Sequence, residues 1–163
     1  MAQSALTIER LALRRSPLIE LLQQLGFRAV VSAFSTLDAF ERMQLVVFDA
    51  VFVEVERLDD PGFDFVRDVR FGAEDFRRTP IIVVSSGSSR LMLSKARDCG
   101  ASGFLVKPFS RASVAAQLAR AVNDGRQFVA TTGFAGPDRR RWKDPNYRGP
   151  ERRATVRHTL LID

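Results

Sequence analysis

The stretch from Pro80 to Phe109, PIIVVSSGSSRLMLSKARDCGASGFLVKPF, constrains the fold more than any other part of the chain. It opens on a short β-branched apolar run, Pro80 to Val84, with the pattern of a strand buried on both faces. Ser85, Ser86 and Gly87 end that strand in small residues, which let a backbone approach a ligand closely. A helix is expected from about Ser89 to Cys99, closed by Gly100 in a left-handed C-cap. A second strand, Gly103 to Val106, ends at Lys107-Pro108. Strand, helix and strand in one crossover make the two strands parallel neighbours. Ser85 and Lys107 then lie together at the carboxyl edge of the sheet, where open α/β sheets bind ligands. A hydroxyl beside an ammonium suits an anion.

The rest of residues 1–125 repeats this alternation. A first strand is expected between about Ala5 and Leu13. Ser16-Pro17 is a helix start, a capping serine followed by proline at the first helical position, and Gly26 is the stop. Leu18, Leu21, Leu22 and Leu25 give that helix its apolar face. Phe27 to Val31 reads as a second strand, and Ser35 to Met43 as a helix with Ser35 and Asp38 in capping-box spacing. Leu45 to Phe48 reads as a third buried strand ending in Asp49, followed by a long loop to about Gly62. Helices are expected at 63–71 and from Ser110 to about Asn123. The sum is a doubly wound α/β domain with a five-stranded parallel sheet.

These features resemble the CheY-like receiver domain of bacterial two-component response regulators, a flavodoxin-like fold. GASGFLVKPF carries the resemblance most specifically. It implies that Asp49 is the phosphoacceptor, Ser85 the hydroxyl that follows the phosphoryl group, and Lys107 the cation that neutralises it. Phe104 takes the aromatic position that changes rotamer on activation. Such receivers also hold magnesium with two acidic residues after the first strand. Counting back from Gly26 puts Glu9-Arg10 in that place; aligning on the strand end and Pro17 puts Arg14-Arg15 there. Either way an arginine replaces a carboxylate, so magnesium is not expected, no other metal site is expected, and a structural ion pair at Asp49 competes with phosphorylation. The loop after Asp49 is several residues longer than the family pattern. A regulator switched at Asp49 is the alternative.

Composition changes after Gly125. The chain carries 25 Lys/Arg against 19 Asp/Glu, and from Pro137 onward eight basic residues face four acidic ones. A nearly neutral body with a basic C-terminal tail, residues 126–163, points to an anionic partner. Within the tail FAGPDRR (134–140) recurs as YRGPERR (147–153): aromatic, any residue, Gly, Pro, acid, Arg, Arg. Each Gly-Pro is expected to form a turn presenting an acid and paired arginines. Guanine suits that set, because an arginine fork matches its O6/N7 edge, a carboxylate accepts from N1 and N2, and flat groups stack on the ring. The candidate ligand residues are Asp138, Arg139, Arg140, Arg141, Trp142, Tyr147, Arg148, Glu151, Arg152 and Arg153. A receiver followed by an arginine-rich segment is similar to the Cle-type CheY-like proteins, and that resemblance implies cyclic di-GMP as ligand and action at the flagellar motor. Interleaved acids weigh against nucleic acid, which favours unbroken positive charge. A docking arm for protein is the remaining alternative. Taken together, the sequence is expected to encode a non-enzymatic adaptor. Lacking a long apolar run, it is also expected to be cytoplasmic, with Cys99 a reduced structural thiol.

Overall fold

The computed structural model describes residues 3–9 and 16–139. They build a parallel sheet from β1 (Gln3–Ile8), β2 (Phe27–Ala33), β3 (Ala50–Glu54), β4 (Ile81–Ser85) and β5 (Gly103–Val106), in the order β2-β1-β3-β4-β5. That is the expected doubly wound, flavodoxin-like arrangement. On one face α1 (Pro17–Gln24) and α6 (Arg111–Val122) bring Leu18, Leu22, Val114 and Ala121 onto Ala5, Phe52, Ile82 and Leu105. On the other, α2 (Thr36–Leu45), α3 (Pro61–Phe71) and α5 (Arg90–Asp98) cover Leu6, Val51, Val53, Ile81 and Val83. Burying each such aliphatic side chain contributes about 1.5–3 kcal/mol.

Local chemistry sets the element ends. Ser35 accepts from the Asp38 amide at 3.1 Å, while the Asp38 carboxylate reaches back to the Phe34 amide instead of the Ser35 one. Asp60 caps α3 by accepting from Gly62 N–H, so the helix begins at Pro61, two residues earlier than expected. Ser110 and Ser113 cap each other at the start of α6. Gly26 and Gly100 both have positive φ, as the stop signals require.

The third strand differs from the expectation. Leu45 ends α2, Val46 and Val47 are exposed, and the strand is Ala50–Glu54 instead of 45–48. A strand between two parallel neighbours is buried on both faces. Ala50, Val51, Phe52 and Val53 meet that demand at 0–1% exposure, whereas Leu45 is 84% exposed. The first strand ends at Ile8, not at Leu13. Two features have no counterpart in the sequence pattern: a short helix α4 (Glu74–Arg77) and an antiparallel hairpin of β6 (Phe128–Thr131) and β7 (Phe134–Pro137).

The hairpin packs onto the body at a turn that a buried arginine holds. Arg70, on α3, is 1% exposed; its guanidinium donates to the carbonyls of Gly100, Arg77 and Thr79 and to Ser102 Oγ, at 2.7–3.0 Å. Burial pulls its pKa down to about 10, which leaves it charged at neutral pH. Directional bonds to four acceptors replace its lost hydration. They also tie together α3, the α4 segment and the starts of β4 and β5. Gly100, one of the four acceptors, lies against β7: a Cβ there would collide with the Ala135 carbonyl oxygen, and one on Gly136 would lie 2.7 Å from Gly100 Cα. Phe134 and Ala135 are buried by this docking. Residues 126–139 thus form a folded addition to the body, and Gly136-Pro137 lies in a strand, not in a turn.

Replacing Arg70 by Met is expected to strand four acceptors and cost about 3 kcal/mol or more. Thermal unfolding should move down by roughly 6–12 °C for a chain of this size. A shift of a degree or two would show that the network is dispensable.

Candidate functional site

The carboxyl edge of the sheet gathers polar groups from several strand ends. Glu9 follows β1, Glu54 closes β3, and Lys107 follows β5. Lys107 is held in place by its amide, which donates to the Ser85 carbonyl at 2.9 Å. Its ammonium forms an ion pair with the Glu54 carboxylate. Both side chains are partly exposed, so the pair contributes at most about 1 kcal/mol to stability. Its importance is positional: the lysine's charge is met from within the protein.

Beside the pair lies a cavity of about 650 Å³, walled by Ile8, Leu18, Phe52, Val84 and Phe109, with Glu9, Glu54, Glu56, Ser86 and Lys107 supplying its polar groups. Ser16, expected to cap α1, makes no side-chain cap bond. Its hydroxyl donates to Glu9 Oε1 at 2.7 Å. Burial raises the Glu9 pKa above the ordinary value; the Ser16 bond opposes that, the nearby Glu54 charge adds to it, and Lys107 offsets it in part. Ser85 is buried at the end of β4, and its Oγ accepts from the Gly87 amide at 3.2 Å, shaping the turn where Ser86 reaches the cavity. Phe104 is half-buried against the core.

Asp49 is elsewhere. It precedes β3, at the amino edge, where its carboxylate accepts from the Ser4 amide at 2.7 Å and its own amide donates to the Ser4 carbonyl. Five residues of strand, about 17 Å, separate it from the carboxyl end of β3. The expected convergence of Asp49, Ser85 and Lys107 therefore does not form. Glu54 stands in the position assigned to Asp49, and the overlong loop after Asp49 was the signal: measured from Glu54, the excess disappears. Of the two placements of the acidic pair, the structure puts Glu9 at the site; Arg10, Arg14 and Arg15 lie outside the described residues.

Of the candidate ligand residues, Asp138 and Arg139 are described. The Asp138 amide donates to the Gln127 carbonyl, continuing the hairpin. The Arg139 guanidinium stacks on Phe134, 4.3 Å from the ring centroid, and donates to Asp98 at 3.1 Å. Arg140, Arg141, Trp142, Tyr147, Arg148, Glu151, Arg152 and Arg153 lie outside the described residues.

A parallel sheet in this order, with a lysine and an acidic residue facing each other at its carboxyl edge, defines a receiver-type signalling domain. The chain belongs to the response regulator receiver domain family, whose model matches residues 6–119. Receiver domains of this family belong to two-component signalling systems. Transcriptional regulatory protein PdtaR of Mycobacterium tuberculosis is 32% identical over 122 residues, which are 75% of this chain and 58% of that protein. The chain thus spans little more than half the length of that relative. Chemotaxis protein CheY-3 of Vibrio cholerae is 26% identical over 98 residues, 60% of this chain and 75% of that protein. The solved structure of chemotaxis protein CheY4 from Vibrio cholerae superposes with a TM-score of 0.66 at 26% identity, covering 74% of this chain and 99% of that one.

The Glu9 shift gives a pH signature. Because its folded pKa is raised, its stabilising contribution is full below the ordinary glutamate value of 4.5 and is lost as pH rises through the folded value. Glu9→Gln, which keeps an acceptor for Ser16, should therefore be as stable as the parent in acid and more stable at pH 7. Denaturant unfolding at several pH values checks this; a variant less stable at pH 7 than in acid, relative to the parent, would contradict it.

Proposed function

We propose that this receiver works without aspartyl phosphorylation and is switched through its arginine-rich C-terminal segment, with cyclic di-GMP as the ligand. The observation that carries the first half is the Glu54–Lys107 pair. A phosphoacceptor site needs a nucleophilic carboxylate, a donor and positive charge free to meet the developing phosphoryl oxygens. Here the carboxylate at the end of β3 is one methylene longer than aspartate, and it already neutralises the lysine. The residues present also do not fit magnesium. Glu9 is taken by Ser16, Arg10 follows it in sequence, and among the described residues no three acidic, His or Cys side chains are grouped to hold an ion.

The second half rests on the chemistry of the repeated motif. Two copies of aromatic, acid and paired arginines suit a ligand with two guanines and two phosphates. In the described part of the first copy, Arg139 sits stacked on the motif's own Phe134 at the surface of the body, which supports a ligand arginine linked to the fold. The protein acts as a non-enzymatic cytoplasmic adaptor. The resemblance to Cle-type proteins implies an output at the flagellar motor, and the likeness to chemotaxis proteins of Vibrio cholerae is in keeping with it.

Calorimetry of the full chain against cyclic di-GMP, in buffer without magnesium or phosphodonor, tests this reading. Saturable binding is expected. Glu151→Ala should weaken it by about ten- to a hundredfold, as loss of a carboxylate that reads a guanine edge requires. Arg152→Lys, which keeps charge but loses the planar fork, should weaken it too. Tighter binding by Glu151→Ala would indicate a purely electrostatic tail and overturn the guanine reading.

A further inference from the structure

Arg139 is a residue with two demands on it. As the first arginine of the repeated motif it is a ligand residue for cyclic di-GMP, and the inference drawn from it rests on that proposed function. In the folded chain it is also a fastener. Its guanidinium lies over Phe134, and its Nη1 donates to Oδ1 of Asp98, the last residue of α5. This contact ties the end of the hairpin to the end of a helix of the receiver body, across 41 residues of sequence.

Geometry sets the two demands against each other. A guanidinium grips a phosphate or a guanine edge through two parallel N–H bonds from one side of its fork. One face of this guanidinium is covered by Phe134 and one N–H is given to Asp98, leaving the side chain 34% exposed. An anionic ligand gripping that edge must displace the carboxylate, and Asp98 is built to let go. It also accepts from Arg97 Nε and Ser94 Oγ, both at 3.3 Å, so its charge keeps partners after Arg139 leaves. The exchange is one anion for another at a half-exposed position, where neither pairing is dominant.

We propose that Asp98 is an internal competitor for the nucleotide: ligand binding takes Arg139 from Asp98 and unfastens the hairpin from the carboxyl end of α5. The unfastened end adjoins the Cys99–Gly100 turn, whose carbonyl Arg70 holds and against which β7 packs. Occupancy of the C-terminal segment is thereby converted into loosened packing on the receiver body, at the turn that leads into β5 and Lys107.

A double-mutant cycle on the full chain tests this, with cyclic di-GMP as the probe and calorimetry as the readout. Asp98→Asn keeps the size and polarity of the side chain but removes its charge, and should tighten binding about two- to fivefold, the range set by an exposed ion pair. In an Arg139→Gln background the same change should have no effect, because the competitor has lost its target. Amide exchange at β7 and the last turn of α5 should rise on adding nucleotide to the parent chain. Unchanged or weaker binding by Asp98→Asn would overturn the competitor while leaving the ligand reading intact. A gain that persists in Arg139→Gln would show general charge repulsion and also overturn it. No binding by the parent chain would remove both the ligand reading and this inference.

Discussion

The register of β3 decides what this receiver can do. In a parallel sheet every strand delivers its carboxyl end to the same edge, so the residue that closes the central strand is the residue that faces the ligand. Burial of Ala50 to Val53 between β1 and β4 fixes Glu54 in that place, opposite Lys107. The rest of the edge depends on it. Lys107 is neutralised from within, Glu9 sits close enough for its titration to feel Glu54, and Ser16 turns from its helix to satisfy Glu9. At this edge the carboxylate that closes β3 and the lysine that follows β5 are joined in an ion pair.

The fold is largely legible in the sequence because its signals are local and redundant. The β4–α5–β5 crossover can be read from its apolar runs and its stop at Gly100, both of which the structure shows. The site is less legible, and the reason is a short-range ambiguity. LVVFDAVFVE contains two apolar runs of equal length flanking Asp49. Local pattern cannot choose between them, because exposure at the end of α2 and burial in the central strand are tertiary outcomes. The loop length after Asp49 carries the missing information. Ser16 illustrates the same limit: its position as N-cap is visible in sequence, but the carboxylate that captures its hydroxyl arrives from the end of a strand.

The hairpin is hidden for a different reason. FVAT and FAGP are too short and too small to read as strands, and Gly136-Pro137 reads locally as a turn. Their antiparallel pairing makes the hairpin, and what docks it on the body is the absence of side chains at Gly100 and Gly136, which lets two backbones meet, with the guanidinium of Arg70 holding the Gly100 carbonyl. Glycine and arginine act together there: one provides the close approach, the other satisfies the carbonyls it buries. The result joins the first motif copy to the receiver body, so that Arg139 belongs to both. The chain that pairs Glu54 with Lys107 also joins the start of its basic segment to the receiver body.

The central claim is that the carboxyl edge no longer answers to phosphoryl chemistry. It is tested most directly by adding beryllofluoride and magnesium, a stand-in for the phosphoryl group, while following the amide resonances of Glu54, Ser85, Phe104 and Lys107. The account predicts that these resonances stay in place, since Glu54 and Lys107 remain bound to each other. Saturable, magnesium-dependent shifts at those four residues would show the pair opening to admit the phosphoryl mimic, and would contradict it.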